Sequence, residues 1–269
     1  MNTRNSLKGT SPLVVTAFVG SARKKHTYNA AEYFLKSLQS LGNIEYEIVR
    51  LSDYKIEICK GCKTCFERGE ELCPLKDDRD ILLQKISNSD GIIFASPNYS
   101  FDVSGYTKIF LDRLGFMFHR PCYFGKAFTS IVVQGFYRGN KIIKYFNFLG
   151  KGLGFKVIEG SCLNSLEPMT EKDQKSFNKV LEKQSKKFYT ALTKRQYPIP
   201  NFLQLMFFRM ARTSVRLLLN ESCKDYNYFN QNGWFESDYY YKTSLNPIKK
   251  LTGKLFDYLF ARIYRKKIA

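Results

Sequence analysis

Hydrophobic and polar positions along the chain switch between two periods. "SPLVVTAFVG", residues 11–20, is a short β-branched and apolar run closed by glycine, and it predicts a buried strand followed by a turn. Ala30, Phe34, Leu38 and Leu41 then recur at helical spacing, with Gly42 as the stop. Ile44, Tyr46 and Ile48 alternate with polar neighbours, which predicts a second strand. Asp78-Arg79-Asp80 opens a helix through Ile81, Leu82 and Ile86, and "DGIIFASP" is a third strand stopped by Pro97. "SGYTKIFLDRLGF" predicts a helix, "KAFTSIVVQG" a fourth strand, "KIIKYFNFLGKGLG" a helix and "FKVIEGSCL" a fifth strand. "TEKDQKSFNKVLEKQSKKFYTALTKR" predicts a long, charged, amphipathic last helix.

Five strands joined by helix-length connections predict an α/β architecture: a doubly wound parallel sheet with helices on both faces, in the order 2-1-3-4-5. At "YPIPNF" two prolines end that pattern. Residues 1–196 therefore read as the doubly wound unit. Residues 197–269 read as a helical extension, basic and rich in aromatic residues.

Composition changes this picture in three places. A chain of 269 residues with 44% hydrophobic and 25% charged residues buries a sizeable core, which excludes disorder as the main theme. The polar start "MNTRNSLKGTSP" lacks the apolar run of a secretory signal, and no uninterrupted apolar stretch is long enough to span a bilayer; a cytoplasmic protein is expected. Its 7 cysteines would then stay reduced, and their odd number adds to the case against a disulfide framework. The net charge of +19 invites an anionic partner. Zinc-finger spacing, RNP-like motifs and helix-turn-helix patterns are absent from the sequence, so no nucleic-acid partner is expected.

Ligands of such sheets bind beyond the carboxyl ends of the strands, and three loops there carry suitable chemistry. "GSARKKHTYN" places a glycine turn, the Ser21 hydroxyl, Arg23 and Thr27 before a helix, a pattern suited to a phosphate monoester. It has neither GxGxxG nor GxxxxGK[ST], which argues against dinucleotide and triphosphate sites. In "SPNYSFDVSG", Pro97 sets the chain direction, Asn98 and Ser100 offer polar contacts, and Tyr99 offers a flat ring for a planar heterocycle. "QGFYRGN" adds glycines beside Phe136, Tyr137 and Arg138.

Between the second strand and the next helix lies "CKGCKTCFERGEELC", with Cys59, Cys62, Cys65 and Cys73 spaced C-x2-C-x2-C-x7-C. Four thiols this close suit an iron–sulfur cubane, a zinc site or redox-active thiols, and the residues alone leave all three open. Cys122, Cys162 and Cys223 are isolated and read as packing residues.

Taken in order, "GSARKKHT", the cysteine segment leading into "PLKDDRD", and "DGIIFASPNYSFDVSGYTKIFLDRL" resemble the flavodoxin-like NADPH-dependent FMN reductases, in particular the iron-sulfur flavoprotein branch. The resemblance covers roughly residues 12–195 and implies a flavodoxin-like fold that binds FMN in a homodimer or homotetramer. It implies that Ser21, Arg23 and Thr27 hold the FMN phosphate, that Pro97, Asn98, Tyr99 and Ser100 line the isoalloxazine, and that Gly135 lies near its pyrimidine end. It also implies that Cys59, Cys62, Cys65 and Cys73 hold a [4Fe–4S] cluster. Where family members commonly carry small residues ending in Asn and Thr or Ser, this chain has His26, Thr27 and Tyr28.

The implied activity is transfer of electrons from NAD(P)H through FMN to an acceptor the sequence does not name. The alternative is an electron-transfer flavoprotein that does not itself oxidise NAD(P)H. No side-chain nucleophile is needed for either, so no catalytic residue is assigned. In the extension, Ile248, Leu251, Leu255, Leu259 and Ile263 recur along a helix with cations on the opposite side, an amphipathic basic pattern. Such a helix can lie on anionic lipid; packing of the apolar face on its own domain or on a sister subunit is the expectation.

Overall fold

The computed structural model describes residues 11–194 and 197–268. Strand β1 (Leu13–Val19) sits inside the sheet because both of its faces are apolar: Phe18 turns to one side, and Val15, Ala17 and Val19 turn to the other. A strand of this kind needs a covering layer on each face. It pairs in parallel with β2 (Ile44–Arg50) on one edge and β3 (Gly91–Tyr99) on the other, and β3 continues in parallel to β5 (Ala127–Gln134). Helices α1 (His26–Gln39) and α6 (Glu171–Thr193) cover one face through Ala30, Phe34, Leu38, Leu181 and Phe188. Helices α3 (Arg79–Asn88), α4 (Gly105–Asp112) and α5 (Gly139–Gly152) cover the other through Leu82, Ile86, Phe110, Ile142 and Phe146. The short α2 (Thr64–Glu67) lies within the cysteine segment.

The sheet order β2-β1-β3-β5-β6, with β6 at Lys156–Val157, reproduces the expected path, but the described strands number seven, not five. Two causes account for the difference. The fifth apolar run is broken into β6 (Lys156–Val157) and β7 (Ser161–Asn164), which both pair with β5. At the break, Gly160 lies so close to β5 that a Cβ would come within 2.5 Å of the Ser130 carbonyl oxygen. The other addition is β4 (Asp102–Val103), which folds back antiparallel on the end of β3. Ser100 and Phe101 connect them with φ of 49° and 66°, the geometry of a two-residue I′ hairpin, which costs non-glycine residues about 1–3 kcal/mol each.

Between β2 and α3 the chain runs through residues 51–78 with little regular structure, and buried charge fixes it. Arg113, just past α4, pairs with Asp77, and both side chains are almost fully buried. The same guanidinium donates to the Glu57 carbonyl at 3.0 Å, while the Asp77 carboxylate accepts from the Glu57 N–H at 2.8 Å and the Arg79 N–H at 3.2 Å. Arg120 makes a second anchor. It donates to the Cys65 carbonyl at 2.8 Å and to Glu70 at 2.9 Å, and it pairs with Asp225 at 3.3 Å.

Asp225 belongs to α8 (Lys224–Gln231), which with α7 (Phe202–Leu218) and α9 (Pro247–Ile268) makes up the extension. Leu205, Phe208, Phe229, Trp234, Phe235 and Tyr239 form a core of their own, against which Phe124 packs. In α7, Arg209 pairs with Asp238 at 2.6 Å and with Asp257 of α9 at 2.8 Å; Arg212 also reaches Asp257 at 2.6 Å. Those ion pairs, with Gly253 against the Arg209 guanidinium, turn the Gly253–Asp257 side of α9 inward. The expectation that the apolar positions of α9 pack on the chain's own domain is therefore corrected. Ile248, Leu251, Leu255, Leu259 and Ile263 all face outward and are exposed. Among the described residues no helix is long and apolar enough to cross a membrane.

Removing one partner of the Asp77–Arg113 pair strands a buried charge, so Asp77→Ala should lower unfolding stability by about 3–5 kcal/mol in urea denaturation. Burial works against ionisation of Asp77, yet the Glu57 N–H, Arg113 and the Arg79 N–H together hold its carboxyl below the usual range. A depressed folded value means the stabilisation is complete above the ordinary aspartate pKa of about 4 and disappears as pH falls through the folded value. The wild type should lose stability over that acid range, and Asp77→Asn should flatten that part of the stability–pH curve.

Candidate functional site

The turn leaving β1 is set by a close approach. A Cβ on Gly20 would collide with the Thr107 hydroxyl and lie 2.7 Å from the Ser104 hydroxyl. Ser104 caps α4 and donates its hydroxyl to the Gly20 carbonyl at 2.6 Å; its N–H donates to the Ser96 hydroxyl at 3.1 Å. Buried hydroxyls thus bind the end of β1, the end of β3 and the start of α4 into one junction. From it the loops 20–27 and 97–101 leave side by side.

Helix α1 begins at His26 with no side-chain cap and no acidic residue in its first turn. Its first N–H groups and the positive end of its dipole therefore remain available to an anion. Ser21 and Thr27 are buried beside that end, and the Ser21 hydroxyl donates to the Arg23 carbonyl at 3.1 Å. Arg50 at the end of β2 braces the loop by donating to the Ala22 carbonyl at 3.0 Å.

A cavity of about 360 Å³ opens here, and Ser21, Arg23, Thr27, Pro97, Asn98, Tyr99 and Gly135 all line it. Seven of the eight residues expected from the sequence are thereby brought together. Ser100 is not in the lining; it occupies the hairpin turn between β3 and β4. Asn98 donates to Gln134 Oε1 at 3.2 Å and to the Tyr137 carbonyl at 2.7 Å, while its Oδ1 is buried with no hydrogen-bond partner. An acceptor left in this state costs about 1–3 kcal/mol, and a donor on a bound ligand would relieve it. Beside Gly135 the space is open.

Lys25, His26, Val133, Gln134, Ser165, Leu166 and Glu167 complete the lining, and sequence reasoning did not assign them to the site. Gln134 accepts from the Gly139 N–H at 2.7 Å and donates to Asn164 at 2.8 Å, so it joins the ends of β3, β5 and β7. His26 Nε2 lies 2.8 Å from Glu167 Oε1, and this hydrogen bond holds the Glu167 carboxyl below its usual range. One signal could have found these residues: Gln134 ends its strand and Ser165 follows the last one, on the carboxyl edge where ligands bind.

Cys59, Cys62, Cys65 and Cys73 line a second, smaller cavity of about 110 Å³, together with Phe66, Arg113 and Phe116. Gly61 and Lys63, with φ of 63° and 60°, supply the left-handed turns that coil the segment. The Thr64 hydroxyl donates to Cys62 Sγ at 3.3 Å and lowers the pKa of that thiol. Burial pushes the Cys65 thiol up, and the neighbouring Cys59 and Cys62 add to the shift. Arg113 donates to Cys73 Sγ at 3.5 Å. Four soft donors around one largely apolar space, with guanidinium groups to offset thiolate charge, fit an iron–sulfur cluster in type and number. Their side chains do not converge: among the described residues, no three His, Cys, Asp or Glu side chains are placed to hold a metal ion. Cys122, Cys162 and Cys223 do not line this cavity.

Comparison with known proteins fits this geometry. Residues 13–164 match the family described as NADPH-dependent FMN reductase. An iron-sulfur flavoprotein of Archaeoglobus fulgidus is 36% identical over 157 residues, spanning 53% of this chain and 68% of that protein. An iron-sulfur flavoprotein of Clostridioides difficile is 28% identical over 192 residues, 69% of this chain and 82% of that protein.

Among solved structures, RosB with bound 8-demethyl-8-formylriboflavin-5'-phosphate superposes with a TM-score of 0.58 at 14% identity, covering 87% of this chain and 92% of that one. That share exceeds what residues 11–194 provide, so the likeness in fold continues into the extension. The NAD(P)H:quinone oxidoreductase of Methanothermobacter marburgensis gives 0.51 at 16% identity, covering 65% and 98%. A flavodoxin-like sheet, the matched 152-residue span and the two curated relatives agree: the chain belongs to the NADPH-dependent FMN reductase family of NAD(P)H-dependent flavin oxidoreductases, with the iron-sulfur flavoproteins as its relatives.

Proposed function

We propose that this protein binds FMN in the cavity between loops 20–27 and 97–99 and uses it to pass electrons from a reduced nicotinamide to an acceptor. The observation that carries the reading is the polarity of that cavity. One end offers an uncapped helix N-terminus with Arg23 and Lys25; the other offers the partnerless Asn98 Oδ1 beside the Tyr99 ring. A phosphorylated heterocycle carries the matching groups, an anion at one end and a ring N–H donor at the other. Bound there, FMN supplies hydride acceptance and single-electron release.

The chain's own residues bind and orient. Ser21, Arg23, Thr27 and the first N–H groups of α1 hold the phosphate. Pro97, Asn98 and Tyr99 border the ring plane, Ser100 shapes the turn behind it, and the open space at Gly135 admits the pyrimidine end. Gln134 and the Tyr137 carbonyl take both N–H groups of the Asn98 amide, which leaves its oxygen as the acceptor for a ligand donor. Tyr99, Phe101, Phe136 and Tyr137 are exposed around the mouth, which supports a second copy of the chain closing over the site. Cys59, Cys62, Cys65 and Cys73 are the residues that would hold a [4Fe–4S] cluster, with Arg113 and Arg120 fixing the segment that carries them. In this reading residues 1–196 are the flavin-binding unit and 197–269 an appended one.

Arg23→Ala removes a charge-assisted contact of about 1.5–3 kcal/mol, so FMN affinity of the apoprotein should fall about 10- to 100-fold by fluorescence titration. Failure of the wild-type apoprotein to bind FMN would refute the assignment. Anaerobic mixing with NADPH and with NADH should bleach the flavin absorbance; a flavin reducible by dithionite but by neither nucleotide would make the protein an electron carrier.

Anoxic preparations should contain about four iron and four sulfide per chain. Cys62→Ser should lose that iron and keep FMN, whereas Cys223→Ser should retain both. Iron-free wild type with normal FMN would leave the cysteines as a zinc site or as thiols.

A further inference from the structure

We propose that the outer face of α9 docks on an anionic membrane surface. The proposal rests on this face alone and is independent of the flavin reading.

The apolar positions of α9 face away from the core. Ile248, Leu251, Leu255, Tyr258, Leu259 and Ile263 range from 42% exposed at Leu259 to 71% at Leu251. The helix's contact with α7 uses its other side, where Gly253 meets Arg209 and Asp257 meets Arg209 and Arg212. The outward stripe is therefore left over after the chain's own packing is complete, and an exposed apolar stripe of this length marks an interaction surface.

Charge selects the partner. Lys250, Lys254, Arg262, Arg265 and Lys266 are exposed on the same helix, while its only acidic residue, Asp257, is turned inward and neutralised by two guanidinium groups. The outer surface of α9 thus presents cations and apolar side chains and no anion. A second copy of the chain would bring the same helix with the same lysines and arginines, so self-pairing through this face sets cations against cations. A nucleic acid would satisfy the cations and leave six apolar side chains without a partner. The interfacial zone of an anionic bilayer satisfies both: acyl chains take the leucines and isoleucines, headgroups take the lysines and arginines, and Tyr258 suits the boundary. Because no described helix can cross a bilayer, the contact is peripheral.

The test uses the full-length protein as purified and sedimentation with vesicles. With phosphatidylserine and phosphatidylcholine in equal parts, the partition coefficient should exceed that for pure phosphatidylcholine by at least about tenfold, and added salt should reduce it. Two double variants separate the contributions: Leu251→Glu with Leu255→Glu, and Lys250→Glu with Lys254→Glu. All four residues are exposed, so both variants should keep the circular dichroism and FMN content of the wild type. Each should lower binding to the mixed vesicles at least about tenfold. Equal binding to neutral and anionic vesicles, or unchanged binding by the leucine variant, overturns the proposal. So does absent vesicle binding with self-association that the leucine variant abolishes, which would assign the face to a second copy. Preferential capture of single-stranded RNA that survives the leucine changes would assign it to nucleic acid.

Discussion

The site depends on one steric constraint, the contact of Gly20 with the first turn of α4. No side chain fits there, because the Thr107 and Ser104 hydroxyls already fill the space. The absence of a Cβ lets the Ser104 hydroxyl reach the Gly20 carbonyl, and the same residue's N–H reaches back to Ser96 at the end of β3. Two loops far apart in sequence are thereby held at a fixed spacing before any ligand arrives. A phosphate end and a ring end of one molecule can then be recognised together, with little ordering left for binding to accomplish.

The cysteine segment is held by a different device. With few helical turns and no strand, it cannot rely on a backbone ladder, so its carbonyl and amide groups are taken up by buried charge. Asp77, Arg113 and Arg120 accept or donate to the backbone at Glu57, Arg79 and Cys65 while pairing with charged partners. This leaves the thiols on a loop whose ends are fixed and whose middle, coiled through Gly61 and Lys63, carries the soft donors into one apolar space.

Much of this was legible in the sequence because it is local. Strand and helix periods, the glycine turn before α1 and the proline at the end of β3 are properties of short segments, and seven of the expected site residues gather in one cavity. What was not legible depends on distant contacts. The fifth apolar run looked continuous, and its break is marked by Gly160, whose close approach to the Ser130 backbone shows only in the folded chain. Ser100 reads as a polar contact because of its hydroxyl, and its place in a hairpin turn shows only once β4 returns along β3. Gln134 shows its role only once three strand ends are side by side. In α9 the apolar stripe suggested packing on the chain's own domain or on a sister subunit, and salt links from α7 to Asp257 turn it away from the first.

Arg120 ties the last helices to the cysteines. Its side chain is buried between Cys65 and Glu70 on one side and Asp225 of α8 on the other, and His119 adds a contact to the same carboxylate at 2.7 Å. Cutting the chain before α8 would leave a desolvated cation without one of its two counter-charges, within hydrogen-bonding distance of the thiol-bearing backbone. The extension is therefore an electrostatic component of the cysteine pocket, and a shortened protein would carry that pocket in an altered field.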